Sequence, residues 1–111
     1  MIVALLAALA STGTPVVVSS LTTEQLAEQC RGKEKDPASD FCTGYIIGAF
    51  DTLSAAHQIC PLPDRASTPE VVAIARRYIR VHRKSWGAAP SFVVRDALTI
   101  TFPCRRIPPP R

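Results

Sequence analysis

Apolar and polar residues recur with a helical period in four separate segments of this chain. The longest proline-free stretch holds the most prominent of them, within residues 39–61, SDFCTGYIIGAFDTLSAAHQICP. Phe41, Tyr45, Gly48 and Thr52 fall on one helical face, and Cys42, Ile46, Ala49, Phe50 and Leu53 fall beside it. This predicts a helix over residues 40–59. Ser39 or Asp40 would cap it, because a short side-chain oxygen accepts from the first free backbone N–H groups. Cys60-Pro61 would end it, because proline cannot continue a helix and disfavours helical geometry in the residue before it. The apolar band is wide, so this helix is expected to be mostly buried between others. Gly44 and Gly48 lie one turn apart, each about 1 kcal/mol less favourable than alanine in a helix. They serve either close approach by another backbone or simple packing against a bulky neighbour.

Three further segments have the same period. Residues 22–31 form a short amphipathic helix in this reading, capped by Thr22 or Thr23, with Leu21, Leu26 and Cys30 inward. Gly32 can end it in a left-handed conformation. Residues 68–84, TPEVVAIARRYIRVHRK, begin with proline in the first turn and Glu70 where negative charge suits the helix dipole. Val71, Ile74, Ala75, Tyr78 and His82 share a side, which Val72, Ile79 and Val81 widen. Arg76, Arg80, Arg83 and Lys84 occupy the opposite side, as a solvated face or as a docking surface for an acidic partner. Residues 90–102, PSFVVRDALTITF, are ambiguous. Phe92 or Val93, Ala97 and Ile100 or Thr101 share a helical face, yet Leu98 to Phe102 alternate like a strand. No second strand exists to pair with them, and a lone strand leaves its backbone groups unsatisfied, so a helix is expected. Between the helices, residues 33–39 read as a charged loop, 62–66 as a surface turn and 86–89 as a turn. The fold class is therefore all-α, a single small domain of about four helices.

Length and cysteines sharpen this picture. With 111 residues there is room for one small domain. Residues 1–20 carry no charged side chain and run from an apolar stretch into Ser, Thr, Gly and Pro. They are expected to be a secretory signal peptide, cleaved near Ala10 or Ser20. The helical domain then covers residues 21–104, and residues 105–111 form a flexible proline-rich tail. The apolar run is too short to span a bilayer, so no membrane association is expected after cleavage. Four cysteines in a short exported chain favour disulfides. Of the three possible pairings, helix geometry removes the one joining Cys42 to Cys60, which would stand about 27 Å apart along one helix axis. The favoured pairing is Cys30–Cys42 with Cys60–Cys104, because Cys30 ends one predicted helix and Cys42 begins the next. In the chain-entropy model the two bridges contribute roughly 3 and 4 kcal/mol.

Catalytic chemistry is not visible. His57 and His82 are the only histidines, too few at suitable spacing for a metal site. His82 reads as a packed histidine of the helix over 68–84. Four paired cysteines leave no thiol nucleophile. Asp51 is either a buried polar contact or part of an exposed helix face. There is no glycine-rich phosphate loop, zinc-peptidase motif or nucleophile elbow. The formal charge of +4 is too mild to identify nucleic acid, and basic residues are not interleaved with aromatics. No enzyme activity, cofactor or metal is expected, and no nucleic-acid partner.

An ordered set of short motifs supplies more. Cys42-Thr43-Gly44-Tyr45-Ile46 with Gly48 and Asp51 is followed by Ile59-Cys60-Pro61. Then come Tyr78-Ile79-Arg80-Val81-His82, Asp96-Ala97-Leu98 and Phe102-Pro103-Cys104. Over residues 23–104 this series resembles the Rap/Tai immunity proteins of type VI secretion systems. The structural motif residues carried by the resemblance are Gly44, Tyr45, Gly48, Asp51, Pro61 and Pro103. The resemblance implies a helical periplasmic protein, often a homodimer, that binds a cognate toxic effector and occludes its cleft. Peptidoglycan amidases are among the effectors it implies. From the residues alone, a small periplasmic chaperone or envelope-stress binding protein is the alternative.

Overall fold

The computed structural model describes residues 14–105. Within them the chain forms α1 (Thr23–Gln29), α2 (Asp40–Ala55), α3 (Thr68–Val81) and α4 (Pro90–Thr101). Short 3₁₀ turns at Pro63–Arg65 and Arg83–Gly87 sit on either side of α3. No strand occurs among the described residues, and none of their helices is long and apolar enough to cross a membrane. The cleavage option at Ala10 and residues 106–111 of the tail lie outside the described residues.

Local chemistry explains each helix start. At α1 the Thr22 side chain accepts from the Gln25 N–H while the Gln25 side chain accepts from the Thr22 N–H, a reciprocal capping box. Ser39 caps α2 through the Cys42 N–H, and Ser67 caps α3 through the Glu70 N–H. α4 begins at Pro90 with no side-chain cap, consistent with a first residue whose missing N–H would be unpaired anyway. The β-branched run at its end stays helical. Thr99 and Thr101 donate their hydroxyls to the carbonyls of Arg95 and Ala97, one turn back.

α3 is the central element and packs against both α2 and α4. The core gathers Leu26 from α1, Ile46 from α2, Val71, Ala75 and Ile79 from α3, and Val93, Val94 and Leu98 from α4. Ile59 and Phe102 close it from the connections, with the Phe102 ring edge-on to Phe50 at 5.8 Å. Two disulfides staple these layers. Cys30–Cys42 joins the end of α1 to the first turn of α2, and Cys60–Cys104 joins the exit of α2 to the segment after α4. Beside the second bridge, the Cys60 N–H donates to the Phe102 carbonyl at 2.9 Å.

Several expectations need correction. α2 ends at Ala55 and not at 59, because His57 takes a positive φ of 55°. The Gln58 N–H then reaches back to the Leu53 carbonyl and the His57 N–H to that of Ser54, a Schellman closure with histidine in the position glycine usually holds. α2 is also less buried than its apolar band suggests. Only Cys42 and Ile46 are fully buried in it, and Phe41 is 48% exposed. Neighbouring helices cover one side of α2, so Tyr45, Ile47, Ala49, Phe50 and Leu53 are half-buried at its margins and Phe41 faces solvent. α3 stops at Val81, and residues 83–87 tighten into a 3₁₀ turn. Val81 and His82 are therefore exposed, not part of the packed side; the His82 ring instead stacks on Tyr78 at 3.7 Å. Ile100 likewise faces outward. The cap alternative Thr23 is a fully buried residue whose Oγ1 donates to the Ala88 carbonyl at 2.6 Å, tying α1 to the turn before α4.

Candidate functional site

The four cations expected on the wet side of α3 do not stay together. Arg80, Arg83 and Lys84 are exposed, but Arg76 is 2% exposed. The correction has a clear cause: the loop after α1 folds over that part of α3. The Arg76 guanidinium donates through Nε to the Cys30 carbonyl at 3.0 Å, through Nη1 to that of Asp36 at 2.6 Å, and through Nη2 to that of Arg31. A planar fork with five donors is the side chain that can serve three diverging carbonyls at once. Gly32 permits this approach. Its φ is 105°, and a Cβ placed there would lie 2.5 Å from Arg76 Nη2.

Arg80 points out of this anchored region and meets Glu34 at 2.6 Å. The hydrogen bond from Arg80 holds the Glu34 carboxyl below its ordinary range, with backbone contact and the charge of Arg77 adding to the effect. The sign follows: this pair contributes above the ordinary glutamate pKa, and its contribution is lost as pH falls through the lowered value. The next turn carries Arg83, whose guanidinium lies 5.1 Å above the Trp86 ring. Trp86 is itself fixed by its Nε1–H, which donates to the Ile79 carbonyl at 2.9 Å. Between this turn, α1 and α3 lies an open groove of about 680 Å³, lined by Glu24, Glu28, Ile79, Arg80, Arg83 and Trp86. It joins apolar floor to charged rim, the composition of a protein-contact surface.

The motif residues of α2 occupy a second surface. Gly44 and Gly48 are exposed, and a Cβ at either would meet nothing within 4 Å. Packing against a bulky neighbour within the chain is therefore not their role. Tyr45 is half-buried between them; burial pushes its hydroxyl pKa up, while a hydrogen bond with Ser91 acts the other way. Its ring stacks on Phe41 at 6.3 Å. A groove of about 590 Å³ runs along this face between Gly48, Leu53, Phe92 and the extended residues Val16 to Val18. Asp51 is exposed and not a buried helix-fixing contact, Pro61 is half-buried after Cys60, and Pro103 is exposed before Cys104. Because the glycines face open space, Gly44→Ala and Gly48→Ala are each expected to raise monomer stability by about 1 kcal/mol, measured by urea unfolding. Destabilisation by either would show that the backbone there needs glycine.

Among the described residues, no three His, Cys, Asp or Glu side chains are grouped so as to hold a metal ion, and all four cysteines are in disulfides. Both surfaces are open to solvent. The sequence pattern pointed to both, but not to the roles of Arg76 and Thr23. Arg76 reads as a polar residue on a helix side, which the pattern cannot distinguish from solvation, and Thr23 reads as an alternative cap.

Comparison with known proteins gives one finding. No curated protein and no solved structure matches this chain. A family model described as Rap1a immunity proteins matches residues 22–104. The matched region begins at the cap of α1 and ends at Cys104, so it takes in all four helices and both bridges. On this match over most of its length, the chain belongs to the Rap1a immunity protein family.

Proposed function

We propose that this chain is a periplasmic immunity protein of a type VI secretion system, which binds a cognate effector and occludes it. The observation that carries the reading is the family match across the whole helical domain, residues 22–104. The physical features support it. Exclusion of substrate from a toxin's cleft requires a rigid body with an exposed contact surface and no chemistry of its own, so the protein is read as a non-enzyme. Two disulfides suit a small domain working outside the reducing cytoplasm, and residues 1–20 are read as the export signal removed on the way there. Peptidoglycan amidases are among the effector classes the resemblance implies. Members are often homodimers by the same resemblance, and a dimer is the state we propose for this chain.

Co-expression decides the matter. Cells that export the toxin encoded beside this gene are expected to survive when this chain is co-exported, and the two proteins are expected to co-purify. Light scattering on the free protein reads the dimer. Failure to protect against any neighbouring secreted product would sink the immunity reading.

A further inference from the structure

The charge of this protein is unevenly distributed along the chain. Loop residues Arg31, Lys33 and Lys35 and residues Arg77, Arg80, Arg83 and Lys84 supply seven cations, against the two carboxylates Glu34 and Asp36 in the same segments. The rest of the chain has six cations and seven carboxylates, while the whole carries +4. The positive excess of the molecule therefore resides in residues 31–36 and 77–84. Those segments are far apart in sequence but adjacent in space. The three Arg76 hydrogen bonds pin the loop to α3, and the Glu34–Arg80 pair closes the contact at 2.6 Å. Among the described residues, Lys33, Lys35, Arg77, Arg83 and Lys84 have no ion-pair partner.

Like charges held near one another repel and do not help folding. The Arg76 hydrogen bonds stabilise the fold, but the cluster of unpaired cations they bring together does not, so a gain from that cluster lies outside the monomer. We infer that the face formed by residues 31–36 and the C-terminal half of α3 is a docking surface for an acidic region of a protein partner, which on the immunity reading is the effector. A protein fits better than nucleic acid. Carboxylates are interleaved with the cations, Glu34 on Arg80 and Glu28 on Arg31 among them, and the aromatic rings there are not free stacking platforms: Tyr78 is stacked on His82, and Trp86 is half-buried, bonded through Nε1 and already covered by Arg83. An arginine on a fixed tryptophan at the edge of the patch matches the residue types that dominate protein–protein binding energy.

The test is a fourfold reversal, K33E, K35E, R77E and K84E, which leaves Arg76 and the Arg80–Glu34 pair in place. R65E, on the turn before α3, is the control. With the effector that co-purifies in the co-expression experiment, the wild-type association rate is expected to fall steeply with salt. The reversal should lower that rate at low salt by about tenfold or more and flatten the salt dependence, while R65E changes neither. Wild-type kinetics in the reversed protein would overturn the docking face and leave the immunity reading standing. If no effector co-purifies, the immunity reading falls, and the face is judged by titrating the isotope-labelled protein with poly-L-glutamate and with duplex DNA. Chemical-shift changes confined to residues 31–36 and 77–84, tighter with the polypeptide, support it. Changes spread over the surface, or tighter binding of DNA, overturn it.

Discussion

Replacing Cys60 and Cys104 together by alanine is expected to lower the unfolding free energy by about 4 kcal/mol. The bridge spans 44 residues of sequence, so its removal frees the unfolded chain to explore a much larger volume. Both cysteines are exposed, so alanine leaves no cavity, and the loss reports chain entropy with little packing change. In a domain of this size the melting temperature should fall by on the order of 20 °C. Calorimetry of the double variant beside wild type measures this, and a loss under about 1 kcal/mol would contradict the loop-closure account. The native bridges should also differ in reactivity. Cys30 and Cys42 are 4% and 0% exposed, so a small dithiol reductant should open Cys60–Cys104 first. Alkylation followed by peptide mass analysis reads the order.

The second large effect is expected at Arg76. Arg76→Leu should destabilise the protein by about 3 kcal/mol, since hydrogen bonds to a charged group are the stronger ones and orphaned carbonyls add their desolvation penalty. The carbonyls of Cys30, Arg31 and Asp36 would all lose their partner. Arg76→Lys should not rescue it, because one compact ammonium cannot address three carbonyls from a fork. A readout specific to the loop is available. Lys33 and Lys35 lie within the anchored segment, so trypsin should cut there faster in Arg76→Leu than in wild type under native conditions. Unchanged cleavage together with a loss below about 1 kcal/mol would show that the loop holds itself in place. The effect also separates structure from docking, because Arg76 assembles the basic face without being on it.

These two sites show different degrees of legibility. The bridges were open to reasoning along the chain: a helix between Cys42 and Cys60 keeps those two apart, and the short connection from the end of α1 to the start of α2 favours Cys30–Cys42, which pairs Cys60 with Cys104. Arg76 was not legible. On the helical wheel it stands with Arg80 and Arg83, and its burial depends on where a loop more than forty residues earlier folds. The exposed glycines of α2 are a similar case. Their one-turn spacing is plain in the sequence, but which side of α2 lacks a neighbour is decided by how α3 and α4 pack.

What the sequence by itself determined is local. Capping candidates at Thr22 or Thr23 and Ser39 or Asp40, prolines at helix starts and the 3.6-residue period placed four helices, since each of these acts within one or two turns of chain. The exit of α2 departed from that reading because His57 adopts a left-handed backbone ahead of the proline. What only the tertiary structure decided is burial: Arg76 and Thr23 inside, Phe41, Val81 and His82 outside. A helix has a fixed arrangement of faces, but a face is buried only by what lies against it. With three small helices around α3 there is not enough neighbouring surface to cover every apolar stripe. What is left uncovered is the glycine face of α2 and the basic face held by Arg76, the second of which is the docking surface we propose.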